Sequence, residues 1–420
     1  MTSADEHDDQ QQRRQVADRV LYWTRRRGLT RQIFADHLGK SLSWVDKIKN
    51  GDRQLDRLSV LRRIAHVLDV PLTVLIDPEA AEQNQLCPDK REIDAIRTAL
   101  RRYDVITHVF RPNGDVLPEP DLDRLKHTVR YGWIAYQASN YGAIVQLLPD
   151  LIRDGQAAVW QLDADERRVA LTWLAWAYQL TASTAFKLGD AQLGWVAADR
   201  GIQIAEQTDD LTLIGHAARR VTHALFATHH SSDAVDLVRS AADRLAPNLA
   251  TADPAFLSAY GSLLLKGSIA AARLHQAADV RDLQGEALTV ARRLGPGSNE
   301  NWSSFGVTNV RLYQVSALAD MHSGGRAIET AAVIAPDDLY RLSKERQAEH
   351  LLDMTRGYLQ AGRRDKAATT LLDAHQLAPE GVRCRQKAKT IVTDLIRSYP
   401  RNSSAPLQLI RVAKTIGIPV

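Results

Sequence analysis

Cysteine is almost missing from this chain. Only Cys87 and Cys384 occur in 420 residues, far apart. Such a pair offers no framework of bridges and no metal-ligand spacing, and it suits a reducing cytoplasm. Long apolar runs are equally scarce. No stretch approaches the roughly 18 residues of a membrane-crossing helix, so no membrane is expected as a partner. The opening segment, MTSADEHDDQQQRR, is acidic and polar, unlike a signal or transit peptide. Catalytic signatures are missing too. There is no G-x4-GK[ST] loop, no G-x-S-x-G elbow and no H-E-x-x-H, so neither an enzyme nor a cofactor is expected. The glycine-containing stretch LGPGSNENWSS (294–304) follows no strand and reads as a loop between helices.

What is present is ordinary in bulk and uneven in distribution. Apolar residues make up 45% and charged residues 25%, the balance of a soluble globular chain. The length suits two or three domains. The net charge is +4. Residues 11–76 alone hold fourteen Lys and Arg against six Asp and Glu, a balance of +8, which leaves −4 for the rest. Positive charge gathered on one short segment suits a polyanion such as double-stranded DNA; a solvated basic surface is the bland alternative.

The stretch TRQIFADHLGKSLSWVDKIKNG, Thr30 to Gly51, lies inside that segment. Thr30 is a good N-cap, and Ile33, Phe34, Ala35 and Leu38 give a short helix its buried stripe. Gly39 supplies the left-handed residue that ends it, and Ser41 caps the next helix. On that second helix Val45 and Ile48 point to the core, leaving Leu42, Ser43, Trp44 and Lys47 on the outer face. Polar and cationic groups on a short helix held across its neighbour are what helix-turn-helix recognition requires. A first helix is expected from about Arg13 to Arg27, with Trp23 in the core and Gly28 as its stop. Leu58 to Leu68 forms a fourth helix, and Pro71 opens a fifth through Ile76. Residues 1–10 read as a disordered acidic tail, 11–78 as the bundle and 79–90 as a polar linker.

The pattern A-x2-LG-x-S-x-S-x-V-x-x-I-x-x-G, followed by LSVLRRIAHVLDVPLTVLI, resembles the phage-repressor (Xre or Cro/C1) type of DNA-binding domain, over about Gln11 to Pro78. The resemblance implies base-reading roles for Leu42, Ser43 and Lys47. It implies phosphate contacts for Arg31, Ser41, Asn50 and Arg53, and Trp44 either packs against the second helix or lies along the sugar-phosphate backbone. Leu42 stands where many relatives carry Gln or Arg, which points to contact with a thymine methyl instead of a hydrogen bond. A palindromic operator and a homodimer follow from the same resemblance, because one recognition helix reads few base pairs.

Residues 91–420 are helical in pattern almost throughout. Turns recur at SNYG, KLGD, HHSSD, MHSGG and AGRRD, and small residues such as Gly194, Ala234, Ala327 and Ala367 follow them at intervals of about 40 residues, which points to an α-solenoid. Several units resemble tetratricopeptide repeats. Ala182, Gly189, Gly194 and Gly201 occupy the four small-residue sites of one unit; Thr355, Gly362, Ala367 and Ala374 occupy those of another. A third offers Thr222, Ala234 and Ala241, with His229 in place of the turn glycine, while 122–155 and 303–336 match poorly. The fold class expected is therefore all-α: a five-helix bundle followed by tetratricopeptide-like hairpins.

The repeat phase names positions on the concave face. They are Trp176, Gln179 and Ser183; then His216, Arg219, His223 and Phe226; then Asn309 and Ser316; then Glu349 and Arg356. Aromatic rings beside amides and charges suit a peptide or small signalling molecule. Core packing is the plainer reading for Trp173 and Trp176. His216 and His223 share a helix face but have no partner at ligand spacing, so no metal is expected. Asn309 inside an apolar helix requires a hydrogen-bond partner, either a ligand's backbone or a group of this chain. The domain order is similar to peptide-sensing quorum regulators of Gram-positive bacteria, and more so to long helix-turn-helix regulators of actinobacteria. That implies a cytoplasmic transcriptional regulator. A scaffold tethered to DNA, whose repeats bind a partner protein, is the alternative.

Overall fold

The computed structural model describes residues 3–50, 55, 57–78, 80–81, 87–101, 119–295, 297–400 and 405–418, with backbone alone for 3–10, 12 and 13. No β-strand occurs among them, and the fold is all-α. The chain divides into two compact units after Arg91.

The first unit holds α1 (Ser3–Arg26), α2 (Arg31–Leu38), α3 (Leu42–Asn50), α4 (Leu58–Leu68) and α5 (Leu72–Ile76). Its core is the side that the apolar spacing dictates: Val20, Trp23, Phe34, Val45, Ile64 and Leu75 are all essentially sealed from solvent. Thr30 Oγ1 accepts from the Ile33 amide at 3.2 Å, and Gly39 ends α2 with φ of 63°. The orphan carbonyls at the end of α4 are met by Arg27, whose guanidinium donates to Leu68 O at 2.7 Å and Asp69 O at 2.9 Å. Two expectations change. Helix α1 starts at Ser3, so the segment expected to be a disordered tail is helical from there. Ile33 is 42% exposed, because the packed stripe of α2 runs through Phe34, Ala35 and Leu38 only.

The second unit begins with α6 (Lys90–Arg101) and continues as antiparallel pairs: α7 (Leu122–Gln137) with α8 (Tyr141–Gln161), α9 (Ala164–Leu188) with α10 (Ala191–Glu206), and α11 (Leu211–Ala227) with α12 (Ser231–Leu245). Then come α13 (Pro254–Arg273) with α14 (Ala277–Ala291), α15 (Val307–Asp320) with α16 (Gly324–Ala332), the short α17 (Pro336–Tyr340), and α18 (Lys344–Gln360) with α19 (Arg364–Leu377). The short α20 (Pro379–Arg383), α21 (Gln386–Arg397) and α22 (Leu407–Thr415) finish it.

Six of these pairs turn on a left-handed residue: Ser139, Gly189, His229, His275, His322 and Gly362. A polar residue can take that conformation, though less cheaply than glycine. This is why a glycine-based phase locates the pairs at Gly189 and Gly362 and leaves those at Ser139 and His322 faint. Small residues sit where helices approach: a Cβ at Gly194 of α10 would overlap the Phe186 ring of α9.

Helix α13 corrects the reading of apolar runs. It is long and apolar enough to cross a membrane by length and composition, but 89% of that window is buried inside the unit, as befits a central helix. Neither Cys87 nor Cys384 is a free thiol, which departs from the expectation of reduced cysteines.

The first helices of successive pairs pack on one another, and α18 also meets α7, so the array closes on itself. Arg385 makes the closure polar. Its guanidinium donates to Tyr141 Oη at 2.8 Å, 244 positions away, to Glu349 Oε2 at 2.5 Å and to Glu345 Oε1 at 3.2 Å. Lys187 joins Glu345 at 2.5 Å and Glu349 at 2.6 Å, and the Gly142 amide donates to Glu380 Oε2 at 2.9 Å.

Candidate functional site

In the first unit, Val45 and Ile48 anchor α3, and Ser41 Oγ accepts from the Trp44 amide at 3.3 Å. Ser41, Leu42, Ser43, Lys47 and Asn50 are exposed, together with Lys49, a further cation on the same short helix that the motif does not single out. Arg31 is exposed on α2 and pairs with Asp46 of α3 at 2.5 Å, a partner that spacing alone did not suggest. Trp44 is different. It is only 7% exposed and packs in the core, so its assignment to the phosphate contacts is corrected: the indole is spent on holding α3 down. Arg53 lies outside the described residues. The arrangement is a rigid short helix whose free face carries one aliphatic, hydroxyl and ammonium groups.

The second unit holds a cavity of about 790 Å³ that opens to solvent. Of the residues expected on a concave face, His223, Phe226, Ser316, Glu349 and Arg356 line it. Phe186, His223 and Phe226 stack as a wall, with ring centroids 4.2 and 4.7 Å apart. Seven cationic side chains line the cavity against three carboxylates, and both Glu349 and Asp320 are already engaged, Asp320 by Arg356 at 2.7 Å. The cationic members unexpected from sequence include Lys187, Lys266 and Arg346. A lysine within an apolar run such as α13 is itself a signal that could have found Lys266, since a charge there costs free energy unless something uses it.

A smaller recess of about 40 Å³ shares Lys187, His223, Lys266, Tyr313 and Arg346 with the cavity and adds Arg219 and Arg220. Behind it lies an aromatic cluster. Trp133 stacks on Trp302 at 5.7 Å, and Trp176 meets both edge-on. His216 sits 5.2 Å from the Trp176 ring. Trp176 and His216 are therefore core, and their ligand roles are corrected by burial at 6% and 1% exposure. Gln179 is sealed within α9 and lines neither space. Asn309 is also sealed, and its Oδ1 accepts from Arg346 Nε at 2.9 Å; the partner it requires is internal.

Electrostatics follow from burial among like charges. Burial depresses Lys266 to about 8, with help from Arg219, Lys187 and Arg220. Burial likewise brings Arg220 down to about 9. For Tyr313 burial opposes ionisation, but Lys266, Arg219 and Arg346 outweigh it and lower the hydroxyl to about 7. His216 and His223 are held neutral, each well below its ordinary value, by burial first and nearby cations second. Glu345 shows the reverse: Lys187 and Arg385 overcome its burial and hold it at about 2. Among the described residues, no three His, Cys, Asp or Glu side chains gather as a metal-holding group.

No family model and no curated protein matches the chain. Among solved structures it is similar to BtubC (BKLC) from P. vanneervenii, at 12% identity and a TM-score of 0.35, over 67% of this chain and 97% of that one. It is also similar to Bacillus thuringiensis PlcR, solved in complex with the peptide PapR7 and DNA, at 15% identity and a TM-score of 0.31, over 66% and 95% of the two chains. Likeness of this size bears on neither binding nor assembly.

Proposed function

We propose that the chain is a sequence-specific DNA-binding transcriptional regulator whose second unit binds a signalling ligand, a peptide or small molecule, that controls promoter binding. The observation that carries this reading is the free face of α3. Leu42, Ser43 and Lys47 stand exposed on a capped helix whose other face is locked into a basic bundle. Ser43 and Lys47 are hydrogen-bonding groups for base edges, and Leu42 suits a thymine methyl. Arg31, Ser41 and Asn50 flank them as phosphate donors.

Regulation rests on the open cavity, whose stacked rings and excess of cations suit a partly apolar ligand. A homodimer would set two recognition helices about 34 Å apart on a palindromic operator. Such a regulator acts in the cytoplasm without catalysis.

The test is binding of the purified full chain to duplex DNA from upstream of its own gene, at low ionic strength, with and without small-molecule and peptide extracts. Protection of a discrete palindromic site, altered by a low-mass component, supports the reading. Indifference to every duplex sinks it, and a response to protein fractions alone would favour the tethered scaffold.

A further inference from the structure

The recess in the second unit holds an excess of positive charge that the chain itself compensates only in part. Lys187, Arg219, Arg220, Lys266 and Arg346 line it against one carboxylate, Glu345, which Lys187 and Arg385 already share. Lys266, Arg219, Arg220 and Arg346 form no ion pair among the described residues. The Nε–H groups of Arg219 and Arg220 are buried and donate to nothing, although these side chains are 8% and 6% exposed. Aromatic faces are a partial substitute. Lys266 Nζ lies 5.8 Å from the Phe226 ring and 5.7 Å from that of Tyr313, and Arg220 stands 5.3 Å over Trp133. A cation–π contact replaces only part of the hydration of a buried ammonium or guanidinium. Four like charges facing one space, two of them with an Nε–H unspent, are a binding site for the opposite sign.

We propose that this recess is a subsite for the anionic head group, a carboxylate or phosphate, of a ligand whose apolar part lies in the adjoining cavity against Phe186 and Phe226. The inference deepens the sensor reading given above and rests on it for its biological meaning. Size agrees. A recess of about 40 Å³ holds roughly three oxygen-sized groups at ~10–15 Å³ each, enough for a carboxylate or the outer oxygens of a phosphate and not for an apolar body. The apolar body has the 790 Å³ beside it. Tyr313, drawn toward ionisation by the same cations, is the chain's own partial counter-charge, and a bound anion would relieve it. The head group could be the carboxyl end of a peptide or that of a free organic acid.

The experiment is thermal unfolding of the full chain at constant ionic strength and neutral pH, with no DNA present. The probes are inorganic phosphate, 4-phenylbutyrate against 4-phenylbutyramide, and a leucine-rich tetrapeptide against its C-terminal amide. Each anion that fits should raise the midpoint and its neutral twin should not; the two organic pairs tell a free acid from a peptide end. Lys266→Met should melt at or above the wild-type temperature without probe, since it removes a half-buried charge that has no ion-pair partner among the described residues. It should also weaken anion binding about tenfold or more, the usual loss for a charge-assisted hydrogen bond. Arg346→Gln should weaken it too, which guards against a defect peculiar to one variant. Equal stabilisation by anion and amide, no stabilisation by any anion, or an unchanged response in both variants would overturn the subsite. Because DNA is absent, such a failure leaves the recognition helix untouched, and failure to bind duplex leaves the subsite standing.

Discussion

The two units use the same side chains in opposite ways. In the bundle, Lys47, Lys49 and Arg31 stand in solvent, where each charge costs little and acts on whatever polyanion comes near. In the helical array, Lys266, Arg219 and Arg220 are turned inward, where each costs desolvation that only a specific partner can offset. Exposed charges are screened within about 10 Å at ordinary salt, so DNA binding through them should fall steeply as salt rises. Buried charges are screened far less. Salt sensitivity in one unit and salt tolerance in the other is the difference that burial alone creates.

The comparison breaks most violently at Arg385. Its guanidinium is 2% exposed and ties the first pair of the array to the last. Arg385→Ala leaves Glu345 and Glu349 underpaired, and denaturant unfolding should show a loss of about 3–5 kcal/mol. A loss comparable to that at an exposed surface pair would mean the closure carries no weight.

Next in size are the exposed cations of the bundle. Lys47→Ala should cost roughly 1–3 kcal/mol on the preferred duplex and relax one operator position. Arg31→Ala should weaken all duplexes alike and flatten the dependence of affinity on salt. Fluorescence anisotropy across a set of single-base operator variants separates the two; identical profiles would defeat the assignment of roles.

A third difference is one of pH. His216 and His223 are held neutral below the ordinary value of 6.5 by burial and by Arg219, Arg220 and Lys266. The unfolded chain therefore takes up protons near pH 6.5 that the folded chain refuses. Stability of the second unit is full above that pH and is lost as pH falls, by up to about 1.4 kcal/mol per pH unit for each group. His216→Phe should flatten part of that slope in thermal melts between pH 7 and about 5. Smallest of all is Ile33→Ser, which alters a side chain 42% exposed and should change bundle stability by no more than about 0.5 kcal/mol. A larger loss would place Ile33 in the core after all.

Local rules explain how much of this could be read in advance. Thr30, Gly39 and Ser41 do what their backbone chemistry dictates, and α4 and α5 span the residues that their spacing and Pro71 suggest. Trp44 escaped because an indole at the edge of a helical stripe can fall to either side, and only packing against neighbours chooses. The repeat phase located His223, Phe226 and Arg356 at the cavity, yet placed Trp176 and His216 there too. Trp176 faces Trp133 and Trp302, the latter on a loop whose path no periodicity describes, and His216 packs on Trp176 in turn. Along that loop Asn301, Trp302 and Ser304 all take left-handed backbone, a conformation that sequence pattern rarely announces.

By itself, then, the sequence determined the helices, their caps and the concentration of positive charge near one end, because these depend on residues only a few positions apart. Only the tertiary structure decided that the array closes, that a large cavity results, and that its cations face one another. Those outcomes depend on pairs such as Tyr141 and Arg385, hundreds of residues apart, whose meeting is set by the summed angles of many packed helices and not by any local preference.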